Sequence, residues 1–328
     1  MKITWIVRNW FLAGLLTAAG LAFVFPAVGA RGGPLAPEVT AKAAVAIIFL
    51  LQGLALSPEA LRAGAMRWRL HSATQLFIFA LFPAVVLAAD HVAGPVLGLS
   101  PEIRVGFIFL AVLPTTVSTC VVLTAVADGN VAGALFNAVF ANLAGVLLTP
   151  LWAALLIGSA SDGPPLHAMV LEIALLLLAP LVAGQLLRPA LARRNLIHRR
   201  LVSVLSNAIL LFIVFTAFAN SVHDGAFRTT GPAEVALVLL CAIVLFAVAA
   251  SGAWLLGRRL AFDPADARAL FFCAPQKTLA AGVPMAQILF AGNPALALIL
   301  LPLMVYHVAQ LIAGAFLADR LRMPSAAA

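Results

Sequence analysis

The sequence predicts an all-α polytopic membrane protein: ten transmembrane helices forming two inverted five-helix repeats, with the fourth and ninth helices broken. Three observations lead there. Of 328 residues, 64% are hydrophobic and only 10% charged, where soluble domains average roughly a quarter charged, and the mean hydropathy is +1.10. The apolar residues fall into ten runs, each long enough to cross a bilayer. One short motif around a mid-run proline occurs twice, five runs apart. Strand-type alternation, the mark of an outer-membrane barrel, is absent.

In chain order the runs lie near residues 10–28, 40–57, 70–90, 104–127, 130–158, 167–188, 201–221, 233–257, 265–290 and 293–318. At 1.5 Å per residue, roughly 18 residues cover most of a ~30 Å hydrocarbon core. Longer runs are tilted or broken. The second run is the least regular, because Ser57-Pro58-Glu59 reads as a helix stop and restart. The first, with Lys2 and Arg8 ahead of it and Ala27-Val28-Gly29-Ala30 behind, has the outline of a secretory leader. Removing it would leave nine spans and spoil the charge parity, so it is read as the first helix.

Orientation follows from the 20 basic residues. Fifteen of them (Lys2, Arg8, Arg62, Arg67, Arg69, Arg188, Arg193, Arg194, Arg199, Arg200, Arg258, Arg259, Arg268, Arg320 and Arg322) fall in the termini and even-numbered loops. Four, Arg31, Lys42, Arg104 and Arg228, fall in odd-numbered loops. The positive-inside rule then puts both termini in the cytoplasm of a cell (inner) membrane protein, which requires an even number of spans. The net charge of +8 thus flanks bilayer segments and does not form a nucleic-acid patch. Cys120, Cys241 and Cys273 all sit inside apolar runs, as packing residues and not as a disulfide scaffold.

The repeated motif is FLAVLPTTVSTC at 109–120 and FFCAPQKTLAAG at 271–282. Both have an aromatic start, a proline (Pro114, Pro275) and a polar cluster directly after it. Gly129-Asn130 opens the fifth run and Gly292-Asn293 the tenth. Two sets of five, 1–158 and 159–328, have opposite orientation because five is odd, which is the inverted repeat of secondary transporters. Each proline lacks an N–H and clashes with the carbonyl four residues back, so the carbonyls of Leu110 and Phe271 lose their helical donors. Orphan carbonyls at membrane depth are tolerated where protein, water or an ion satisfies them. An ordinary proline kink is the alternative for either site alone.

At these residues the sequence resembles the bile acid:sodium symporter family, solute carrier family 10 and its bacterial relatives, and in particular the branch of the atypical seventh vertebrate member. The resemblance rests on GGPLAPE (32–38), Gln75 with Phe82-Pro83, the Pro114 segment, GNVAGALFN (129–137), LLTPL (147–151), GQLLR (184–188), Gln276-Lys277-Thr278 and YHVAQ (306–310). It covers nearly the whole chain. It implies a panel domain from spans 1, 2, 6 and 7 (about 10–57 and 167–221) and a core from spans 3–5 and 8–10 (about 70–158 and 233–318). It also implies that broken helices 4 and 9 cross at the core centre, and that panel and core move against one another for alternating access.

The resemblance also nominates binding residues. Ser118 and Thr119, after Thr115 and Thr116, stand where sodium-coupled relatives carry a Ser-Asn pair; here the Asn is Thr. Asn137 lies near the hydroxyl ligands those relatives supply from span 5, although Ala134 and Ala138 offer no oxygen. Gln75 matches a glutamine of the second sodium site. A hydroxyl is as readily explained by a bond to its own helix, whereas Asn137 and Gln75 call for an interhelical or ligand partner. In span 9 the pattern fails. Relatives place Glu-x-Gly-x-Gln-Asn there, but this chain has Cys-Ala-Pro-Gln276-Lys277-Thr278 and no acid.

Lys277 is the sharpest feature, since a mid-membrane cation costs about 2.5 kcal/mol or more and usually faces a polar cavity. Three roles are open: a fixed cation replacing sodium, a proton carrier, or a direct ligand of an anionic substrate. The amine is expected to be held by neutral oxygens such as those of Ser118, Thr119 or Asn137. Snorkelling to an interface is disfavoured by its place two residues after Pro275. His307 and Gln310 share one face of span 10 at i and i+3; a proton relay through His307 is chemically available, and a core hydrogen bond is the plainer alternative.

No metal-ligand spacing, P-loop or cofactor motif is present, and no nucleophile–base arrangement suggests an enzyme. The sequence therefore points to a secondary transporter for a small, anionic or amphipathic solute, with proton coupling or none favoured over two-sodium coupling. The alternative is a membrane regulator of calcium homeostasis, which the resembling branch brings to mind, although a calcium pore would want carboxylates in its spans.

Overall fold

The computed structural model describes residues 10–55, 66–157, 166–193, 198–228 and 230–322. They are helical, with short connections, and contain no strand. In order the helices are α1 (Trp10–Val24), α2 (Pro26–Gly29), α3 (Pro37–Ala55), α4 (Trp68–Leu76), α5 (Phe82–Leu97), α6 (Pro101–Val112), α7 (Val117–Val126), α8 (Val131–Ile157), α9 (Leu166–Arg193), α10 (Arg199–His223), α11 (Pro232–Arg259), α12 (Pro264–Cys273), α13 (Leu279–Leu289) and α14 (Leu296–Leu321). A π-helical turn, Phe77–Leu81, joins α4 to α5.

Seven helices among the described residues are long and apolar enough to cross a membrane, and the pair α6 and α7, bent by 61°, meets the same length and composition only when taken together. The helical segments follow the ten apolar runs, but α1 and α13 are shorter than a full crossing. The possible stop at Ser57-Pro58-Glu59 and the leader-like Lys2 and Arg8 lie outside the described residues. Ala27-Val28-Gly29 belongs to α2, a single turn begun by Pro26.

Local chemistry sets the ends. Pro101 and Pro264 occupy the first helical position, where a missing N–H costs nothing. Asp263 caps α12 by accepting from the amides of Ala265 and Asp266, both at 3.0 Å. Gly98 closes α5 at φ 65°, a conformation that favours glycine.

The chain divides into two compact units. The first comprises Met1–Leu56, Ser161–Pro232 and Gly282–Leu300. Within it α9 packs closely on α3. A Cβ on Gly53 would strike the Leu181 carbonyl, and one on Gly184 the Leu50 carbonyl, so small residues set this backbone approach. Gln185 Nε2 donates to Gly53 O at 2.5 Å across the same contact. The second unit comprises Ser57–Ala160, Ala233–Ala281 and Leu301–Ala328. In it α8 packs against α4, α6, α7 and α12. The polar side chains of interest are buried in this unit.

Candidate functional site

The helix that begins at Pro101 ends at Val112 and restarts at Val117; the one that begins at Pro264 ends at Cys273 and restarts at Leu279. The two non-helical segments meet, with Thr278 N donating to Pro114 O at 3.0 Å. Around the first break, Leu113 N bonds Leu110 O at 3.3 Å, so the carbonyl robbed by Pro114 finds a tighter local turn. Each of the next five carbonyls takes a donor from elsewhere. Ala111 O and Leu113 O accept from Lys277 Nζ at 2.7 and 2.8 Å. Val112 O accepts from Thr149 Oγ1 at 2.8 Å, Pro114 O from Thr278 N, and Thr115 O from Asn142 Nδ2 at 2.8 Å.

Lys277 is fully buried. Its third bond, at 3.2 Å, goes to Ile78 O. That carbonyl is orphaned for a reason visible in the chain. In the π turn the Phe82 amide bonds Phe77 O, and the next residue, Pro83, has no N–H to offer Ile78. Phe82 then places its ring 4.2 Å from the amine, a cation–π contact. The amine therefore collects backbone oxygens freed by two prolines, Pro83 and Pro114, together with one aromatic face. The expectation of neutral oxygens holds, but Ser118, Thr119 and Asn137 do not supply them. Ser118 is exposed and Thr119 half-buried: the 61° bend resets the direction of the helix that carries them.

The second break is braced by α14. Gln310 Oε1 accepts from Lys277 N and Gln310 Nε2 donates to Lys277 O, both at 2.8 Å. Tyr306 OH donates to Pro275 O at 2.6 Å. His307 Nδ1 lies 2.9 Å from Gln310 Nε2, as the i, i+3 spacing predicts. Thr278 Oγ1 accepts from Ala281 N at 3.4 Å at the start of α13. Gln276 and Thr116 are buried.

Gln75 and Asn137 form a second cluster. Gln75 Nε2 donates to Asn137 O at 3.1 Å and Oδ1 at 3.3 Å, and Asn137 Nδ2 reaches Gly133 O at 3.0 Å. His71, which no motif marks, brings Nδ1 to 3.2 Å from Asn137 Oδ1, and its ring lies tilted against Phe136 with centroids 4.2 Å apart. Asn142 and Thr149 were also missed. All three lie one to three helical turns from residues the motif did mark, and only packing reveals their partners. Gln75 Oε1, Thr115 Oγ1 and Gln276 Oε1 are buried with no partner, which leaves three acceptor sites for water or a ligand. No group of three metal-ligating side chains occurs among the described residues.

At the far end of this unit, Asp266 is buried, and it accepts from Asn130 Nδ2 at 2.6 Å and pairs with Arg67 at 3.2 Å. This ties the starts of α4, α8 and α12 together without touching Lys277.

Comparison with known proteins shows the family. The model of the SBF-like CPA transporter family matches residues 9–323. Sodium/bile acid cotransporter 7 of Mus musculus is 32% identical over 322 residues, 96% of this chain and 93% of that protein. The putative symporter YfeH of Escherichia coli K12 is 34% identical over 310 residues, 94% and 92% of the two chains. The uncharacterized protein PA2026 of Pseudomonas aeruginosa is 34% identical over 311 residues, with the same shares. The chain is an integral membrane protein with a solute transporter's ancestry, and it belongs to the SBF-like CPA transporter family.

Proposed function

We propose that the protein is a secondary active transporter that moves a small organic anion or other amphipathic solute by alternating access, and that the ammonium of Lys277 stands permanently where sodium-coupled relatives bind an ion. The observation that carries this reading is the set of three carbonyl oxygens at 2.7, 2.8 and 3.2 Å around Nζ. An ammonium has three donors and no acceptor, whereas a neutral amine has two donors and a lone pair that a third carbonyl would repel. Donor counting therefore favours the charged form, and the ring of Phe82 adds the attraction of its face. Backbone carbonyls are also what a monovalent cation meets in a selectivity filter.

A ten-span chain with both termini cytoplasmic, a panel and a core fits this function. The bracing of each break by the helix that opens at its own Gly-Asn pair, α8 for the first and α14 for the second, supports the two inverted halves, and the two compact units, each drawn from both halves of the chain, support a panel and a core. The orphan acceptors on Gln75, Thr115 and Gln276 are the candidate contacts for the solute or its water.

Reconstitution in proteoliposomes tests the proposal. Uptake of an organic-anion panel, bile acids included, should proceed without a sodium gradient. Lys277→Ala should abolish uptake or make it depend on sodium, and Lys277→Arg should fail because a planar guanidinium does not fit a cradle built for a point charge. Parent uptake that needs a sodium gradient, or unchanged kinetics in Lys277→Ala, would return the lysine to a structural role. Uptake that follows a proton gradient would make it a proton carrier instead. Labelling of single cysteines at Arg193 and Arg228 from opposite faces checks the topology.

A further inference from the structure

The same unit carries a groove of about 360 Å³ between the π turn and α11, lined among others by Phe77, Phe82, Leu245, Val248, Gly252 and Arg259. Its walls are apolar except at one end, where Arg259 sits. At Gly252 a Cβ would already be in van der Waals contact with the Phe77 ring, at 3.5 and 3.6 Å, so a side chain longer than a methyl would take up groove space. Along α11 the lining runs from Leu245 to Arg259, fourteen residues or about 21 Å, which exceeds the ~15 Å depth of one leaflet's hydrocarbon by enough to reach the headgroups. The helix itself has 28 residues, about 42 Å, the thickness of a bilayer with its headgroups. Its terminal Arg259 therefore lies at headgroup level. Arg259 is exposed, and among the described residues no carboxylate pairs with it.

We propose that this groove binds one anionic phospholipid, an acyl chain lying along Gly252 and Val248 and the phosphate held by Arg259. Apolar shape alone would accept any lipid tail; the cation lining the groove at headgroup depth is what selects for negative charge. The occupant would rest on Phe77 and Phe82, the first in the π turn that frees Ile78 O and the second beneath the Lys277 amine. Bilayer composition would thus bear on the walls of the lysine cradle. This inference needs only the membrane setting and stands apart from the transport proposal.

Native mass spectrometry of the full chain, released from detergent micelles containing equimolar phosphatidylglycerol and phosphatidylcholine, tests it. One phosphatidylglycerol should be retained about fivefold over phosphatidylcholine, the preference expected of one arginine near the lipid surface. Arg259→Gln should bring the two lipids to parity. Gly252→Leu, which fills the groove, should lose both, while Arg258→Gln, beside the groove but not lining it, should behave as the parent. Equal retention of the two lipids by the parent, or a preference that survives Arg259→Gln, overturns the proposal. So does a parent that holds no lipid and runs as a dimer split by Gly252→Leu, since the groove would then be a protein interface.

Discussion

The two helix breaks begin from the same chemistry and resolve it in opposite ways. At the first, Pro114 ends a helix and five consecutive carbonyls, from Ala111 to Thr115, are satisfied by donors from outside their own helix. At the second, Pro275 ends a helix and the chain offers donors: the Thr278 amide and the Lys277 amine both go to the first break. One break is an array of acceptors, and the other supplies the amine that donates to it. The lesson is that a helix break at membrane depth is not defined by its proline. What the neighbouring residues donate decides whether the carbonyls of the break are left open or filled.

Seven substitutions break or sharpen that contrast. The largest effect is expected from Lys277→Met, which strips the donor from three buried carbonyls at about 1–3 kcal/mol each. Thermal unfolding in detergent should register a loss of about 3 kcal/mol or more. In Lys277→Ala, where the cradle is emptied without being refilled by a side chain, added sodium or ammonium should raise the melting temperature, and it should not do so in the parent. A variant as stable as the parent would show that the carbonyls have other donors.

Gln310→Leu comes next. It leaves the buried N–H and C=O of Lys277 without their side-chain partner, for an expected loss of about 2 kcal/mol or more. Because it acts on the backbone that carries the lysine, transport should fall with it; full transport in a destabilised variant would separate the cradle from function.

Gly145→Ala addresses the packing of the first break. Its new Cβ would lie 2.8 Å from Pro114 Cγ and 3.0 Å from Pro114 Cβ, and a proline ring cannot rotate away, so a loss of about 1–3 kcal/mol is expected. Gly314→Ala, near the second break, meets the end of Leu123 at 2.7 Å and Gln276 Nε2 only at 3.7 Å. A leucine methyl can swing aside, and the loss should stay under about 1 kcal/mol. Equal losses would mean that the two breaks are equally rigid.

The smallest effects belong to single hydroxyls. Thr149→Val and Tyr306→Phe each remove one donor, from Val112 O and Pro275 O respectively, and each should cost about 1 kcal/mol. If either exceeds Gln310→Leu on the same thermal scale, hydroxyls and not the amide and amine hold the breaks open.

Much of this was legible in the chain. Hydropathy has to reveal membrane helices, because a lipid-facing helix must be apolar over its whole length. The prolines mark the breaks because they remove a donor wherever they stand, in any tertiary context. The spacing of His307 and Gln310 is a local property of a helix, and it brought them together as predicted. The letters also showed an ionisable Lys277 in a motif, Cys273 to Thr278, that holds no acid.

Tertiary structure alone decided what Lys277 binds. Its partners are main-chain oxygens of Ile78, Ala111 and Leu113, and a carbonyl has no letter in the sequence. The motif pointed instead to side-chain oxygens at Ser118 and Thr119. These follow a four-residue break whose bend no periodicity can supply, and the restarted helix leaves Ser118 exposed. Pro83 did announce an orphan carbonyl near Ile78, but which donor would fill it depended on a residue nearly two hundred positions away. A sequence fixes which groups lack partners, because that follows from covalent structure; only the folded chain fixes who meets them, because that follows from packing.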